Sequence, residues 1–243
     1  MASMSILETK GLTKTFGGLS ANTNIDFSLT RGKITALIGP NGAGKSTFVG
    51  MLSGRITATA GSVHFDGVDI SNLPAFKRIG MGIAYTFQIT SIFPGLTVQR
   101  NVELAARRAL SLPKSEILDA VDEVLQRVDL LDRKDQKAAD LSYGHQRILE
   151  IAMGLIQKPK LFILDEPTQG LADAEVEQFI ELINSLAGKS TILLIEHNMD
   201  VVMRAADHIA VLNYGELLAE GTPKEIQENK EVQNAYLGKT TDA

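Results

Sequence analysis

Residues 39–47 have the types and spacing needed to bind phosphate. They read GPNGAGKST and match the pattern G-x-x-x-x-G-K-[ST]. Glycines let such a loop curl so that backbone N–H groups point at phosphate oxygens, and a helix beginning near Lys45 adds its positive end. Lys45 would reach the β- and γ-phosphates of a nucleotide, and the Ser46 hydroxyl would ligate Mg²⁺. The candidate nucleotide-binding residues here are Gly39, Pro40, Asn41, Gly42, Ala43, Gly44, Lys45, Ser46 and Thr47.

Two adjacent carboxylates form a second candidate site. Asp165 and Glu166 directly follow the apolar run 161–164, which reads LFIL and predicts a buried strand. Because parallel sheets bind ligands at the carboxyl ends of their strands, Asp165 is placed to hold Mg²⁺ and Glu166 to orient or deprotonate an attacking water. Alone, such a pair indicates a solvated strand end. A complete phosphate loop on the same sheet favours the catalytic interpretation.

Two further polar residues follow predicted strands. Gln88 comes after residues 82–87, and its carbonyl oxygen could contact Mg²⁺ or the attacking water. His197 comes after 191–195, from where it could donate a hydrogen bond to the γ-phosphate. In isolation, a strand-end glutamine is usually a rim residue and a lone histidine is usually a surface residue. The sequence pattern leaves these alternatives open.

The elements that must position these residues follow from hydrophobic periodicity. Apolar or alternating runs predict strands at 6–14, 24–30, 33–38, 61–65, 82–87, 161–164, 191–195, 209–212 and 217–219. Helical spacing dominates 97–157, which predicts an inserted helical subdomain, with residues 6–96 and 158–238 forming the core. Alternating strands and helices predict an α/β fold with a mainly parallel sheet, and the first two strands predict an antiparallel subdomain. Thr222, Pro223 and Glu225 predict a helix start with a capping box.

Composition limits the classes of function. The chain has 243 residues, a formal net charge of −5 and no long basic run, so no nucleic-acid partner is expected. Cysteine is absent, which excludes disulfides, zinc–thiolate sites and thiol nucleophiles. No apolar run approaches the ~20 residues that cross a bilayer, and no secretory signal is expected. If the protein serves a membrane process, other chains must supply the membrane part.

Residues 141–147, LSYGHQR, lie at the end of the helical stretch and upstream of the Asp165 strand. They resemble the signature motif of ABC ATPases, which usually reads LSGGQ. The order of parts is also similar to that family: Phe16, the phosphate loop, Gln88, the signature, Asp165–Glu166 and His197. The resemblance covers about 6–238 and implies one ABC ATPase domain over 1–243: a P-loop NTPase core of mainly parallel sheet, an antiparallel β subdomain and an inserted helical subdomain.

The resemblance implies roles and partners. Phe16 should stack on the adenine of ATP, and the signature should bind the γ-phosphate held by a second ATPase subunit in a sandwich dimer. The implied signature contacts are Ser142, Gly144, His145 and Gln146. Lys45, Gln88, Glu166 and His197 are the implied catalytic set, and Ser46, Gln88 and Asp165 the implied Mg²⁺ ligands.

The sequence departs from the family pattern at two places. Tyr143 replaces the first glycine of the usual pair, and His145 precedes the glutamine. Ala172 stands where the family often has an aspartate that helps the two subunits communicate, and Asp173 is one position late.

Within the family, residues 141–151, 196–202 and 219–238 resemble the ATPases of branched-chain (hydrophobic) amino-acid importers. This implies membrane-spanning subunits, an external substrate-binding protein and a peripheral location at the cytoplasmic face of the inner membrane. The ATPases of urea importers and lipopolysaccharide exporters share much of the pattern, so the substrate stays open.

A soluble ABC protein acting on ribosomes or DNA is a further alternative, which the single phosphate loop, the short helical insertion and the negative charge disfavour. A regulatory cassette that binds ATP without turnover is disfavoured because Lys45, Ser46, Asp165, Glu166 and His197 are all present.

Overall fold

The computed structural model describes residues 4–86, 91–110 and 112–237. The strands of this described part are β1 (Ser5–Phe16), β2 (Leu19–Thr30), β3 (Ile34–Ile38), β4 (Ala60–Phe65), β5 (Val68–Asp69), β6 (Ile83–Thr86), β7 (Leu161–Asp165), β8 (Thr191–Ile195), β9 (His208–Asn213) and β10 (Glu216–Gly221). Its α-helices are α1 (Lys45–Ser53), α2 (Ala75–Gly80), α3 (Val98–Ala109), α4 (Lys114–Arg127), α5 (Tyr143–Leu155), α6 (Asp173–Leu186), α7 (Met199–Ala205), α8 (Pro223–Glu228) and α9 (Lys230–Leu237).

A six-stranded sheet in the order β10-β9-β3-β8-β7-β6 forms the centre of the fold. All neighbouring strands in it are parallel except β9 and β10, which form an antiparallel hairpin. Every residue of β3, β7 and β8 is buried. This pattern is typical of parallel strands that are covered on both faces, and it explains why they appear in the sequence as continuous apolar runs.

A four-stranded antiparallel sheet in the order β2-β1-β4-β5 lies against helix α1. Phe48 and Leu52 of α1 share one apolar cluster with Leu7 and Phe27 of this sheet and Leu37 of β3. The rings of Phe27 and Phe48 meet edge to face, with centroids 5.4 Å apart. Helix α1 is therefore held between the two sheets, which fixes the loop that precedes it.

Helices α3, α4 and α5 form the stretch predicted to be a helical subdomain. Val102 of α3, Val121 of α4 and Leu149 of α5 are fully buried in one cluster, which also includes Phe162 of β7 and Phe179 of α6. Gly154 of α5 allows the close approach to β7, because a Cβ there would lie 2.4 Å from Cζ of Phe162. Helix α5 is thus packed directly on the strand that ends in Asp165. The subdomain boundaries at 97 and 157 stay a prediction.

The predicted fold class is confirmed, with local differences. Strands β1 and β2 are longer than the predicted strands at 6–14 and 24–30, because they pair across several register shifts as far as Phe16 and Leu19. Helix α2 and the short strand β5 lie between the predicted strands at 61–65 and 82–87, where the sequence predicts no helix or strand. The capping box of α8 is confirmed: Thr222 Oγ1 accepts from the Glu225 backbone N–H and the Glu225 carboxylate accepts from the Thr222 N–H. In the described part of the chain, no helix is both long and apolar enough to cross a bilayer.

Replacement of Phe179 by alanine should destabilise the protein, because its ring is fully buried where α6 packs on the sheet. We expect the free energy of unfolding to fall by about 3–5 kcal/mol in a denaturant titration, through lost transfer energy and the cavity left behind. Phe76→Ala is the matched control, since that ring is exposed. Equal losses in the two variants would contradict the assigned core.

Candidate nucleotide-binding and catalytic site

The carboxyl ends of β3, β7 and β8 bring the predicted site residues together. The three strands are parallel neighbours, with Leu37 opposite Ile195 and Ile195 opposite Asp165. The phosphate loop follows β3, Glu166 follows β7, and His197 lies two residues after β8. One edge of the sheet therefore carries the loop, both carboxylates and the histidine.

The phosphate loop requires glycine at two positions for different reasons. A Cβ on Gly39 would lie 2.2 Å from the carbonyl oxygen of Leu212, so no side chain fits there. Gly44 has φ +95°, in the left-handed region, and is the N-cap of α1. Helix α1 begins at Lys45, as predicted, which directs its positive end at the loop.

The Lys45 ammonium lies against the backbone of the phosphate loop. Its Nζ donates to the carbonyl oxygens of Gly39 at 2.6 Å and Pro40 at 3.2 Å. Burial lowers the pKa of Lys45, while the negative charges of Glu166 and Asp165 act in the opposite direction. The cation is thus partly withdrawn from water and close to both carboxylates. Such a group gains strongly from an anionic ligand, because charge-assisted hydrogen bonds are stronger in a partly buried site.

A cleft of about 500 Å³ lies over the loop. Its described lining residues are Leu19, Ser20, Ala21, Asn41, Gly42, Ala43, Gly44, Lys45, Ser46, Thr47, Glu166, Tyr214 and Gly215. The cleft therefore combines most of the predicted phosphate loop with one predicted catalytic carboxylate. Its other wall comes from the β1–β2 hairpin and from the turn between β9 and β10.

Asp165 is oriented by residues that sequence analysis did not identify. The Tyr85 hydroxyl donates to Oδ2 of Asp165, and Arg55 donates to the Tyr85 oxygen at 2.7 Å. Burial raises the pKa of Asp165; the hydrogen bond from Tyr85 lowers it, and repulsion from Glu166 raises it further. The result is a buried carboxyl group with a fixed orientation that a nearby cation would stabilise in its charged form.

Glu166 and His197 face each other across the strand ends. The Nδ1 of His197 lies 4.0 Å from Oε1 of Glu166, and the imidazole is more than half exposed. The buried Glu196 carboxylate fixes the surrounding backbone. It accepts hydrogen bonds from the N–H and hydroxyl of Thr168, at 3.0 and 2.6 Å, and from the N–H of His197 at 3.1 Å. The segment after Glu166 and the segment that carries His197 are therefore tied together, a link for which the sequence offers no signal.

The predicted signature residues lie apart from the cleft. Ser142 is the N-cap of α5, and its hydroxyl accepts from the N–H of His145 at 3.2 Å and lies 2.6 Å from its Nδ1. Gln146 turns back and donates to the carbonyl of Leu141. Gly144 is buried beneath Glu175, where a Cβ would lie 2.3 Å from the carboxylate oxygens. None of the four predicted signature contacts is among the described residues that line the cleft.

Phe16 ends β1 beside Leu19, a cleft residue, and its ring is 51 % exposed, with the Lys14 ammonium 4.9 Å from the ring centroid. Its contact with adenine stays a prediction. Gln88 lies outside the described residues, so its predicted roles toward Mg²⁺ and water also stay predictions.

Replacement of Lys45 by alanine should weaken nucleotide binding. A charged hydrogen-bond partner contributes ~1.5–3 kcal/mol, so ATP affinity should fall on the order of 10- to 100-fold. Isothermal titration calorimetry with MgATP measures this, with the exposed Lys189→Ala as control. Unchanged affinity in the Lys45 variant would show that this ammonium does not face the phosphates.

Comparison with known proteins gives a family and a set of relatives. A family model described as ABC transporter matches residues 22–169, and one described as Branched-chain amino acid ATP-binding cassette transporter matches residues 216–241. The chain is 37 % identical over 249 residues to the high-affinity branched-chain amino acid transport ATP-binding protein BraF of Pseudomonas aeruginosa, covering 96 % of this chain and 98 % of BraF.

Solved structures agree with this relationship. The ADP conformation of an ATP-binding cassette of an ABC transporter superposes with a TM-score of 0.85 at 30 % identity, covering 97 % of this chain and all of that one. A dimeric post-hydrolysis cassette bound to ADP and Pi superposes with a TM-score of 0.81 at 25 % identity, covering 89 % and 98 %. The phosphate loop, the paired carboxylates and these matches agree, and the chain belongs to the ATP-binding cassette family of ABC transporters.

Proposed function

We propose that this chain hydrolyses ATP as one of two ATPase subunits in a sandwich dimer and thereby powers an importer of branched-chain amino acids. The observation that carries the proposal is the cleft in which the phosphate loop, Lys45 and Glu166 meet. A triphosphate seated there would place its terminal phosphate between the lysine ammonium and the glutamate carboxylate. This arrangement suits hydrolysis of the terminal phosphoanhydride bond.

ATP binding replaces the internal contacts of Lys45. Its Nζ exchanges the carbonyls of Gly39 and Pro40 for β- and γ-phosphate oxygens. The donor set fits Mg²⁺, because a serine hydroxyl and a carboxylate are hard oxygen ligands. Burial raises the pKa of Asp165, so a cation beside it would stabilise its charged form. Ser46, Asp165 and Gln88 would hold the ion. When bound, Mg²⁺ neutralises charge on the phosphate oxygens.

Glu166 acts on the attacking water. Its carboxylate accepts a proton as the water oxygen bonds to the γ-phosphorus and the bond to the β,γ-bridging oxygen breaks, which gives ADP and phosphate. His197, 4.0 Å from Glu166, donates a hydrogen bond to a γ-phosphate oxygen. Lys45 stabilises the charge that develops on the phosphoryl oxygens.

The second half of each site comes from the partner. In one chain the signature residues lie outside the cleft, at the N-terminus of α5, where a hydroxyl and a helix dipole suit an anion. Ser142, Gly144, His145 and Gln146 would therefore bind the γ-phosphate held by the opposite subunit. The dimeric arrangement of a similar cassette with ADP and Pi supports this composite site.

The transport role rests on the relatives. BraF is described as a branched-chain amino acid transport ATP-binding protein, and this chain shares nearly its whole length with it. We infer separate membrane-spanning subunits, an external binding protein and a position at the cytoplasmic face of the inner membrane. The alternatives are the ATPase of a urea importer and the ATPase of a lipopolysaccharide exporter.

Replacement of Glu166 by glutamine should separate binding from chemistry. The amide cannot accept the proton, so turnover should fall by about 10²–10⁴. MgATP affinity should remain, and a dimer should accumulate in size-exclusion chromatography because ATP persists. Glu228→Gln, at an exposed position in α8, is the control. Hydrolysis at the wild-type rate would remove Glu166 from the mechanism.

Deletion of the gene for this chain should abolish the high-affinity uptake of leucine, isoleucine and valine by the parent cell. Radiolabelled uptake measures this, and wild-type protein, but not the Glu166→Gln variant, should restore it. Normal leucine uptake together with a defect in urea uptake or lipid export would reassign the substrate. The ATPase mechanism would be unaffected by that result.

A further inference from the structure

Glu166 has a backbone conformation that its surroundings must maintain. Its φ is +47°, in the left-handed region, which is strained for a residue with a Cβ. Such a conformation persists only where neighbouring groups over-determine it. Two groups do so: the Glu166 N–H donates to the carbonyl of Ile195 at 2.9 Å, and the Glu166 carbonyl accepts from Arg147 at 2.9 Å.

Arg147 is suited to hold this backbone. Its side chain is 1 % exposed, and Nη2 donates to the carbonyl of Asp165 at 2.8 Å as well as to that of Glu166. Nη1 donates to Oε2 of Glu150 at 2.9 Å, and the two side chains form a buried ion pair. A rigid planar guanidinium can make these contacts together, whereas a lysine ammonium has a different geometry.

Glu150 links Arg147 to the segment that begins at Ser91, shortly after Gln88. Its Oε1 accepts from the backbone N–H of Ser91 at 3.4 Å, and its side chain is 6 % exposed. Ser91, Glu150, Arg147 and the backbone of 165–166 thus form a continuous chain of contacts. It passes through the first two turns of α5.

The same helix contacts the segment after Glu166 at two more points. Gly170 has φ +78°, and a Cβ there would lie 2.9 Å from Cε1 of Tyr143. Gly144 lies against the carboxylate of Glu175, which also accepts from the N–H of Ala172 at 2.9 Å. Residues 165–175 are therefore packed on the N-terminal half of α5, so a displacement of α5 would move both together.

We propose that Arg147 is a positioning residue that holds Glu166 in its left-handed conformation and couples it to the signature end of α5. The inference rests on the proposed function, because it assigns Glu166 to the attacking water and the N-terminus of α5 to the partner's nucleotide. Arg147 is buried and is not among the described residues that line the cleft, so it acts through Glu166. Nucleotide held by the partner against Ser142 would fix α5, and Arg147 passes that constraint to the catalytic carboxylate of its own chain.

The test removes both members of the Arg147–Glu150 ion pair, so that no unbalanced charge is left in the interior. Arg147→Met alone would remove the counter-charge of the buried Glu150 carboxylate, so the test uses Arg147→Met/Glu150→Leu, here called the clamp variant. Apolar replacement of a buried ion pair usually preserves folding. We expect kcat to fall on the order of 10- to 100-fold, because small misplacements of reacting groups cost this much. KM for ATP should change less than about twofold. Arg107→Met is the control, since Glu103 keeps its second arginine, Arg100.

A double-mutant cycle separates positioning from general destabilisation. Glu166→Gln should cost about 10²–10⁴ in kcat in the wild-type background but far less in the clamp variant, where the carboxylate is already misplaced. Arg147→Lys should keep the protein folded and show an intermediate kcat. A full Glu166→Gln effect in the clamp variant, or an unchanged kcat there, would overturn the inference. If Glu166→Gln leaves wild-type kcat unchanged, the proposed function fails instead.

Discussion

The site depends on one electrostatic constraint, the placement of a polyanion beside two carboxylates. Asp165 ends a buried strand at the same sheet edge as the phosphate loop, and Glu166 follows it. Burial raises the pKa of Asp165, and repulsion from Glu166 raises it further. Among the described residues that line the cleft, Lys45 alone carries a positive charge. One ammonium and the backbone N–H groups of a loop cannot balance a triphosphate and two carboxylates. A bound cation and a positive group from a second subunit would supply further positive potential.

Helix α5 can supply the positive group that comes from the second subunit. Its N-terminus, with Ser142 as N-cap, is a positive helix end that does not reach the cleft of its own chain. In a two-fold dimer it can serve the partner's cleft, and the partner's helix serves this one. Because α5 also packs on β7 and on the segment after Glu166, closure of the proposed dimer would act on the proposed base of the same chain. Hydrolysis at one site would then be fastest when the other site also holds nucleotide.

Sequence reasoning located the parts of the site whose geometry is local. A phosphate loop is specified by consecutive residues, since Gly39 and Gly44 and the start of α1 at Lys45 all lie within seven positions. Buried parallel strands appear as apolar runs, so the position of Asp165 at a strand end was predictable. The fold class was predictable for the same reason.

The supporting contacts were not predictable, because they join distant residues through the fold. Tyr85 donates a hydrogen bond to Asp165, 80 positions further along the chain. Arg147 reaches the backbone of 165–166 from α5, which Gly154 allows to approach β7 closely. Neither pairing leaves a periodic or spaced pattern. Helix α2 was missed because it is short and follows a proline that alone predicts a turn. Sequence motifs thus predict the groups proposed to do the chemistry, and the structure shows which residues hold them.

The most direct test of the composite site is a mixing experiment. Lys45→Ala disables the cleft of its own chain, and Ser142→Asp adds a negative charge for the partner's phosphate while aspartate still caps α5. Each variant alone should be inactive, and the exposed Lys189→Ala should keep wild-type activity as the control. Random pairing leaves one intact site in half of the dimers, so an equimolar mixture should recover activity, at most about a quarter of the wild-type rate because the second site of each such dimer is disabled. A mixture no more active than the separate variants would contradict a site shared between two chains.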